Sequence, residues 1–268
     1  MSDRVAVHVQ DHIADVRLDR ADKLNALDYG MFTALVDTGR RLATQKDVRA
    51  VVLSGNGRAF SAGLDFASFM AMAASGEAAP SLFDRDSRSP ANMAQLAAWI
   101  WKELPVPVIA AVHGVCYGGG LQIVAGADIR IVHPDAKLSV REMYWGLVPD
   151  MSGTRTLKHV LRQDVLKELT FTARIVTGTE AVALGLCTRS AEDPHAAAME
   201  LAAQIAAASP TTMRAAKRLI DDAYRIPDDE TGLALEEKLQ RSLLGSPNQI
   251  EAVQANMEKR PADFADPE

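Results

Sequence analysis

The 268-residue chain has only two cysteines, Cys116 and Cys187, and they do not stand at a metal-ligand spacing. That excludes a disulfide framework, and both thiols lie in apolar stretches, so they are expected to be reduced core residues in a reducing compartment. The six histidines are scattered without ligand spacing, and no metal is expected. Positive charge is scarce as well: Lys and Arg number 29 against 35 Asp and Glu, a net charge of -6. This argues against nucleic acid as the main partner, because phosphate contacts need clustered cations, although a locally basic pocket could still take a small anion. No apolar run approaches a membrane span, and the N-terminus lacks a signal-like hydrophobic region, so a cytoplasmic protein with no membrane partner is expected. Phosphate fingerprints also fail. Gly55-Asn56-Gly57 begins a G-x-G, but Phe60 stands where the third glycine belongs, and no G-x-x-x-x-G-K-[ST] occurs. Kinase, NTPase and Rossmann dehydrogenase readings fall away.

The rest of the composition is that of an ordinary globular protein, 48% apolar and 24% charged, long enough for a sizeable core. Val5, Val7 and Val9 alternate, Gln10-Asp11-His12 interrupts, and Ile13 to Leu18 resumes, which predicts a β-hairpin. From Asp28 to about Ala43 the spacing of Met31, Leu35 and Leu42 is helical. Ala50 to Leu53 reads as a buried strand ending in a Ser-Gly-Asn-Gly turn. Residues 71–90 show little period and read as a long loop, with Ser89-Pro90 as N-cap and first-turn proline of the next helix. Strand–helix alternation continues to Thr177, which with Glu180 makes a capping box. From 195 onward only helical patterns remain, including Leu235, Leu239 and Leu243 on one face. The expectation is an α/β body over 1–194 and a helical region over 195–268.

Gly118-Gly119-Gly120 lies between a β-branched strand, Val106 to Val112, and an apolar helix start, Leu121 to Ala125. Glycines there leave backbone N–H groups that no helical carbonyl satisfies and that could receive an oxyanion. The same triplet could equally be a tight turn. A second glycine element, Ala59 to Asp65, follows the 50–53 strand. Paired strand-end amides would give the two donors that an enolate or tetrahedral oxygen needs.

Taken in order, Leu18-Asp19-Arg20-Ala21-Asp22-Lys23-Leu24-Asn25-Ala26-Leu27, Ala59 to Asp65, Ala111 through Gly120, and Gly146-Leu147-Val148-Pro149-Asp150 resemble the crotonase (enoyl-CoA hydratase/isomerase) superfamily, over roughly residues 5 to 190. The resemblance implies a spiral of ββα turns with a C-terminal helical trimerisation region, assembled as a homotrimer or a dimer of trimers. It also implies an acyl-CoA thioester substrate whose coenzyme A is part of the substrate, with no separate cofactor. The oxyanion-hole amides map onto Leu64 and Gly119. Substrate contacts map onto Lys23, Ala62, Asp65 and Gln122, and onto Lys259 and Phe264 in the C-terminal stretch.

Hydratases of the superfamily are similar in having a Glu two residues after the glycine triplet and another in the following strand–helix segment. The first position is Gln122 here and the second is Glu142. Gln cannot exchange a proton at neutral pH, so hydration through two carboxylates is impaired. Asp150, eight residues beyond Glu142, resembles an Asp of the dienoyl-CoA isomerase branch, which implies Glu142 and Asp150 as the acid–base pair. That branch usually has a third acid where Gln122 stands. Asp150 could instead cap a helix beginning near Ser152. The leading reading is an acyl-CoA double-bond isomerase. The alternatives are a hydratase working mainly through Glu142 with Gln122 orienting water, a CoA- or RNA-binding relative with weak catalysis, a Ser–His protease analogue using Ser61 and His113, and a dehalogenase-type use of Asp150 as a nucleophile. His113 itself reads as a satisfied structural histidine.

Overall fold

Val5–Gln10 (β1) and Ile13–Leu18 (β2) pair antiparallel, Val5 opposite Leu18 and Gln10 opposite Ile13. Asp11 and His12 between them both take positive φ, 50° and 64°, the turn geometry whose twist suits a hairpin. In this computed structural model residues 4–75, 81–85 and 87–267 are described. The remaining strands are β3 (Ala50–Gly55), β4 (Val108–Val112), β5 (Val115–Tyr117), β6 (Ile129–Val132), β7 (Lys137–Ser139), β8 (Val176–Thr177) and β9 (Arg189–Ser190). A six-stranded sheet runs in the order β1-β2-β3-β4-β6-β9, parallel from β2 onward, and a smaller sheet holds β5-β7-β8.

The helices are α1 (Tyr29–Thr44), α2 (Phe66–Ser75), α3 (Met93–Glu103), α4 (Gly119–Ala125), α5 (Gly153–Leu157), α6 (Gln163–Thr172), α7 (Gly178–Ala183), α8 (Pro194–Ala206), α9 (Pro210–Ala223), α10 (Asp229–Leu243) and α11 (Pro247–Glu258). All six residues of β3 are buried, because the parallel sheet is covered on both faces. Period-two alternation sorts its side chains. Val51 and Leu53 join Val16, Ala110 and Val112 in the core beneath α1, α3 and α4, whereas Ala50 and Val52 join Ile109 and Ala111 beneath α8.

Three expectations need correction. The helix after the polar stretch is capped by Asn92, not Ser89: Asn92 Oδ1 accepts from Gln95 N and Gln95 Oε1 from Asn92 N, a complete capping box. The long 71–90 loop contains the last turn of α2, and its residues 76–80 and 86 lie outside the described residues. The helical region expected from 195 starts inside α8, which belongs to the body: its Ala198, Ala202 and Ala206 bury against the sheet. Only α9 to α11 lie outside it. Thr177 does cap α7 by accepting from Glu180 N, but Glu180 turns its carboxylate to Arg174, so the box is half formed. Both cysteines are buried free thiols. Among the described residues no helix is long and apolar enough to cross a membrane.

Candidate active site

The parallel strands deliver their following segments to one edge of the sheet, where open α/β folds gather functional groups. After β3 the chain runs through Ser61 to Leu64, and after β4 through β5 to Gly118. The two segments lie side by side: Ser61 N donates to Val115 O at 3.1 Å and Tyr117 N to Ser61 O at 3.0 Å. Gly63 makes the close approach possible. Its φ is +89°, and a Cβ there would sit 2.9 Å from Tyr117 O. Gly118, at φ 50° and ψ -120°, then turns the chain into α4. Among the described residues neither Leu64 N nor Gly119 N donates to a carbonyl, although Asp65 N donates to Leu27 O and Gly118 N to Ser139 O. Two free amides on adjoining segments can hold one oxyanion.

Arg20 and Asn25 hold this edge together. Asn25 is fully buried: Nδ2 donates to Asn56 O and Ala59 O, at 2.9 and 2.8 Å, and Oδ1 accepts from Arg20 N. Arg20 Nη1 donates to Asp65 Oδ2 at 2.6 Å and also to Ala26 O. Both stand in the 18–27 motif, where residue type alone implies no role for them. Their signal was two polar side chains in a segment that must turn back against a buried strand.

Glu142 opens a 3₁₀ turn, Glu142–Trp145, just after β7, whose end is tied to the glycine triplet through Ser139 O. It is 7% exposed. Oε1 accepts from Gln122 Nε2 at 2.6 Å, whereas Oε2 is buried with no partner among the described residues. A Cβ at Gly118 would lie 3.3 Å from Glu142 Oε1, so the carboxylate stands against the triplet. Burial pushes its pKa up and the nearby Asp150 charge adds to the rise, against its own backbone and the Gln122 amide. Asp150 lies on the exposed turn before Met151, with its pKa also raised by desolvation. It does not cap α5. Ser152 is the N-cap residue and makes no side-chain cap bond.

Several expected contacts take other forms. Gln122 is 1% exposed, its Nε2 on Glu142 and its Oε1 on the amides of Met151 and Gly153, so it faces protein where a substrate contact was expected. Asp65 is committed too: its carboxylate caps α2 through Ser68 and pairs with Arg20, and these partners, Ser68 first, hold its pKa down to about 2 despite burial. Ala62 lies half-buried beside the free amides, and its N–H donates to Leu24 O, which brings exposed Lys23 alongside. Phe264 is not brought to this edge, and Lys259 closes the C-terminal end of α11 at φ +56°. Phe264 O accepts from Arg49 Nη2, and Arg49 immediately precedes β3, at the opposite end of the strand from Leu64. Ser61 and His113 do not pair either. Ser61 Oγ donates to Asn25 O, and His113 Nε2 lies 2.9 Å from Gly57 O. Among the described residues no group of His, Cys, Asp and Glu could hold a metal ion.

Two main-chain amides beside a buried carboxylate with one oxygen unpartnered can stabilise a carbonyl oxygen while a proton moves next to it. The sequence model of the enoyl-CoA hydratase/isomerase family matches residues 8–267, and the chain belongs to that family. It is 34% identical over 260 residues to the mitochondrial Delta(3,5)-Delta(2,4)-dienoyl-CoA isomerase of Mus musculus, covering 94% of this chain and 78% of that protein. It is 32% identical over 254 residues to the mitochondrial methylglutaconyl-CoA hydratase of Mus musculus, covering 92% and 77%. The crystal structure of the enoyl-CoA hydratase from Bacillus anthracis matches with a TM-score of 0.85 at 26% identity, over 97% of this chain and 98% of that one. The α/β spiral with C-terminal helices expected from the sequence is the crotonase fold.

Proposed function

We propose that the protein isomerises an unsaturated acyl-CoA, moving a double bond through an enolate. The observation that carries this reading is the unpaired Oε2 of buried Glu142, set against the glycine triplet with Asp150 close enough to raise its pKa. The thioester carbonyl oxygen sits between the amides of Leu64 and Gly119. Glu142 Oε2 takes the proton from the carbon next to the carbonyl, and the electron pair moves into the conjugated system. Asp150 takes a proton from solvent and returns it at the remote carbon, while Glu142 releases its own proton to solvent, so atoms balance. The exposed position of Asp150 lets solvent reset both carboxyls between turnovers.

Hydration is the weaker reading, because Gln122 already uses Nε2 and Oε1 within the protein and has less to offer a water. The chain is proposed to work in the cytoplasm as a homotrimer or a dimer of trimers, with coenzyme A entering only as part of the substrate. Incubation with a 3,5-dienoyl-CoA is expected to shift the diene absorbance, with slow or no loss of a 2-enoyl-CoA. Rapid loss of the enoyl absorbance without a diene shift overturns the reading in favour of hydration.

A further inference from the structure

Gln122 is a buried side chain that touches both carboxylate-bearing segments. Its orientation is fixed by chemistry rather than by shape. Oε1 accepts from Met151 N at 2.8 Å and Gly153 N at 3.0 Å, so the amide cannot flip without setting NH₂ against two N–H donors. Nε2 must then face Glu142 Oε1, at 2.6 Å. The turn it grips is tightly drawn onto it. Ser152, between the two donors, is held at φ +64°, and a Cβ at Gly153 would lie 2.6 Å from Gln122 Oε1. Asp150 is joined directly to Met151, the first residue of that grip.

We propose, on the isomerase reading above, that Gln122 is a positioning residue for both carboxylates: Nε2 occupies Oε1 of Glu142 so that Oε2 is the oxygen that takes the proton, and Oε1 pins the turn that presents Asp150. An amide is suited to this because it donates on one side and accepts on the other. A carboxylate at 122 keeps the grip on Met151 and Gly153 but sets oxygen against oxygen at Glu142. The other charge acting on Glu142 is that of Asp150. Arg141, beside it, spends its guanidinium on Ala173 O and the Tyr144 ring, and Tyr117 on β5 has its phenol pushed up by burial. The helix α6, packed on the 3₁₀ turn, carries Asp164, Lys167 and Glu168, of which Asp164 pairs with Arg162 and Glu168 with Arg174.

The test compares the wild type with Gln122→Glu and Gln122→Met. In Gln122→Glu the two carboxyls share a proton, so the acid limb of kcat/KM is expected to move up by about one pH unit or more, with activity recovering as pH rises. In Gln122→Met both grips are lost, and kcat is expected to fall by about 100-fold while KM changes by less than about threefold. A Gln122→Glu enzyme with the wild-type pH profile, or a Gln122→Met enzyme that is less thermostable but kinetically unchanged, overturns the proposal. A ¹³C titration of the Glu142 carboxyl in the wild type and Gln122→Glu gives a readout that needs no turnover. An upward shift of its midpoint supports positioning, and an unmoved midpoint overturns it. Full activity in Glu142→Gln overturns the isomerase reading itself and leaves the ¹³C result to judge Gln122 separately.

Discussion

At the scale of single residues, Gly63 is where backbone geometry and chemistry meet. Alanine there meets both a positive φ and Tyr117 O at 2.9 Å, so the segments carrying the free amides must part. Gly63→Ala is expected to lower kcat/KM on a thioester substrate by about 10²- to 10³-fold, the loss typical of a spoiled oxyanion hole, with an unchanged far-UV circular dichroism spectrum. Steady-state kinetics checks it. Glu142 has a pH signature. Its folded pKa is raised, and the ionised form is the base, so activity is expected to fall as pH drops through a midpoint above the ordinary glutamate range. The same raised pKa means that ionised Glu142 opposes folding above that midpoint. Glu142→Gln should therefore cost about 10²- to 10⁴-fold in kcat while leaving thermal stability at neutral pH equal or higher, as calorimetry would show.

At the scale of elements, the fixing of α8 on the sheet has a titratable anchor. Asp15 on β2 accepts from Arg17 and lies 3.2 Å from His195 Nε2 on α8. Burial alone would raise its pKa, but the His195 and Arg17 hydrogen bonds and charges outweigh it and bring it down to about 2. A depressed carboxyl stabilises the fold fully above its unfolded pKa, and the contribution is lost as pH falls through the folded value. Between about pH 4 and pH 2 the wild type should thus lose about 2 kcal/mol that Asp15→Asn lacks throughout. Urea midpoints of the two proteins are expected to converge over that window. Local signals predicted most elements correctly, because hairpin alternation and the face of α1 are short-range patterns. The start of α3 was misplaced because Ser89-Pro90 offers as good a local cap as Asn92, and only the mutual bonds of Asn92 and Gln95 favour the latter.

At the scale of the whole molecule, the C-terminal helices are under-packed in a single chain. Among its described residues α10 has none that is buried, and Leu233 and Leu244 stand 63% and 61% exposed. The exposed Tyr144, Trp145 and Val148 beside Asp150 form a further apolar surface. Such surfaces occur at contacts with other chains and at ligand grooves. Light scattering is expected to give three or six times the 28.9 kDa chain mass, and Leu233→Asp to lower it; a monomeric wild type refutes the assembly.

The sequence by itself determined the strand–helix order and the glycine segments, because these rest on residue type and local spacing, and its resemblance to the family pointed to Glu142 and Asp150. It also displayed Gln122 where another family pattern has an acid. Tertiary structure alone decided what that glutamine does, since hydrogen-bond partners 20 to 31 residues away have no sequence period. It likewise committed Asp65 to Arg20, moved α8 from the tail into the body, and set Phe264 at the far end of β3. Each of these depends on which groups burial forces together, and burial is a property of the folded whole.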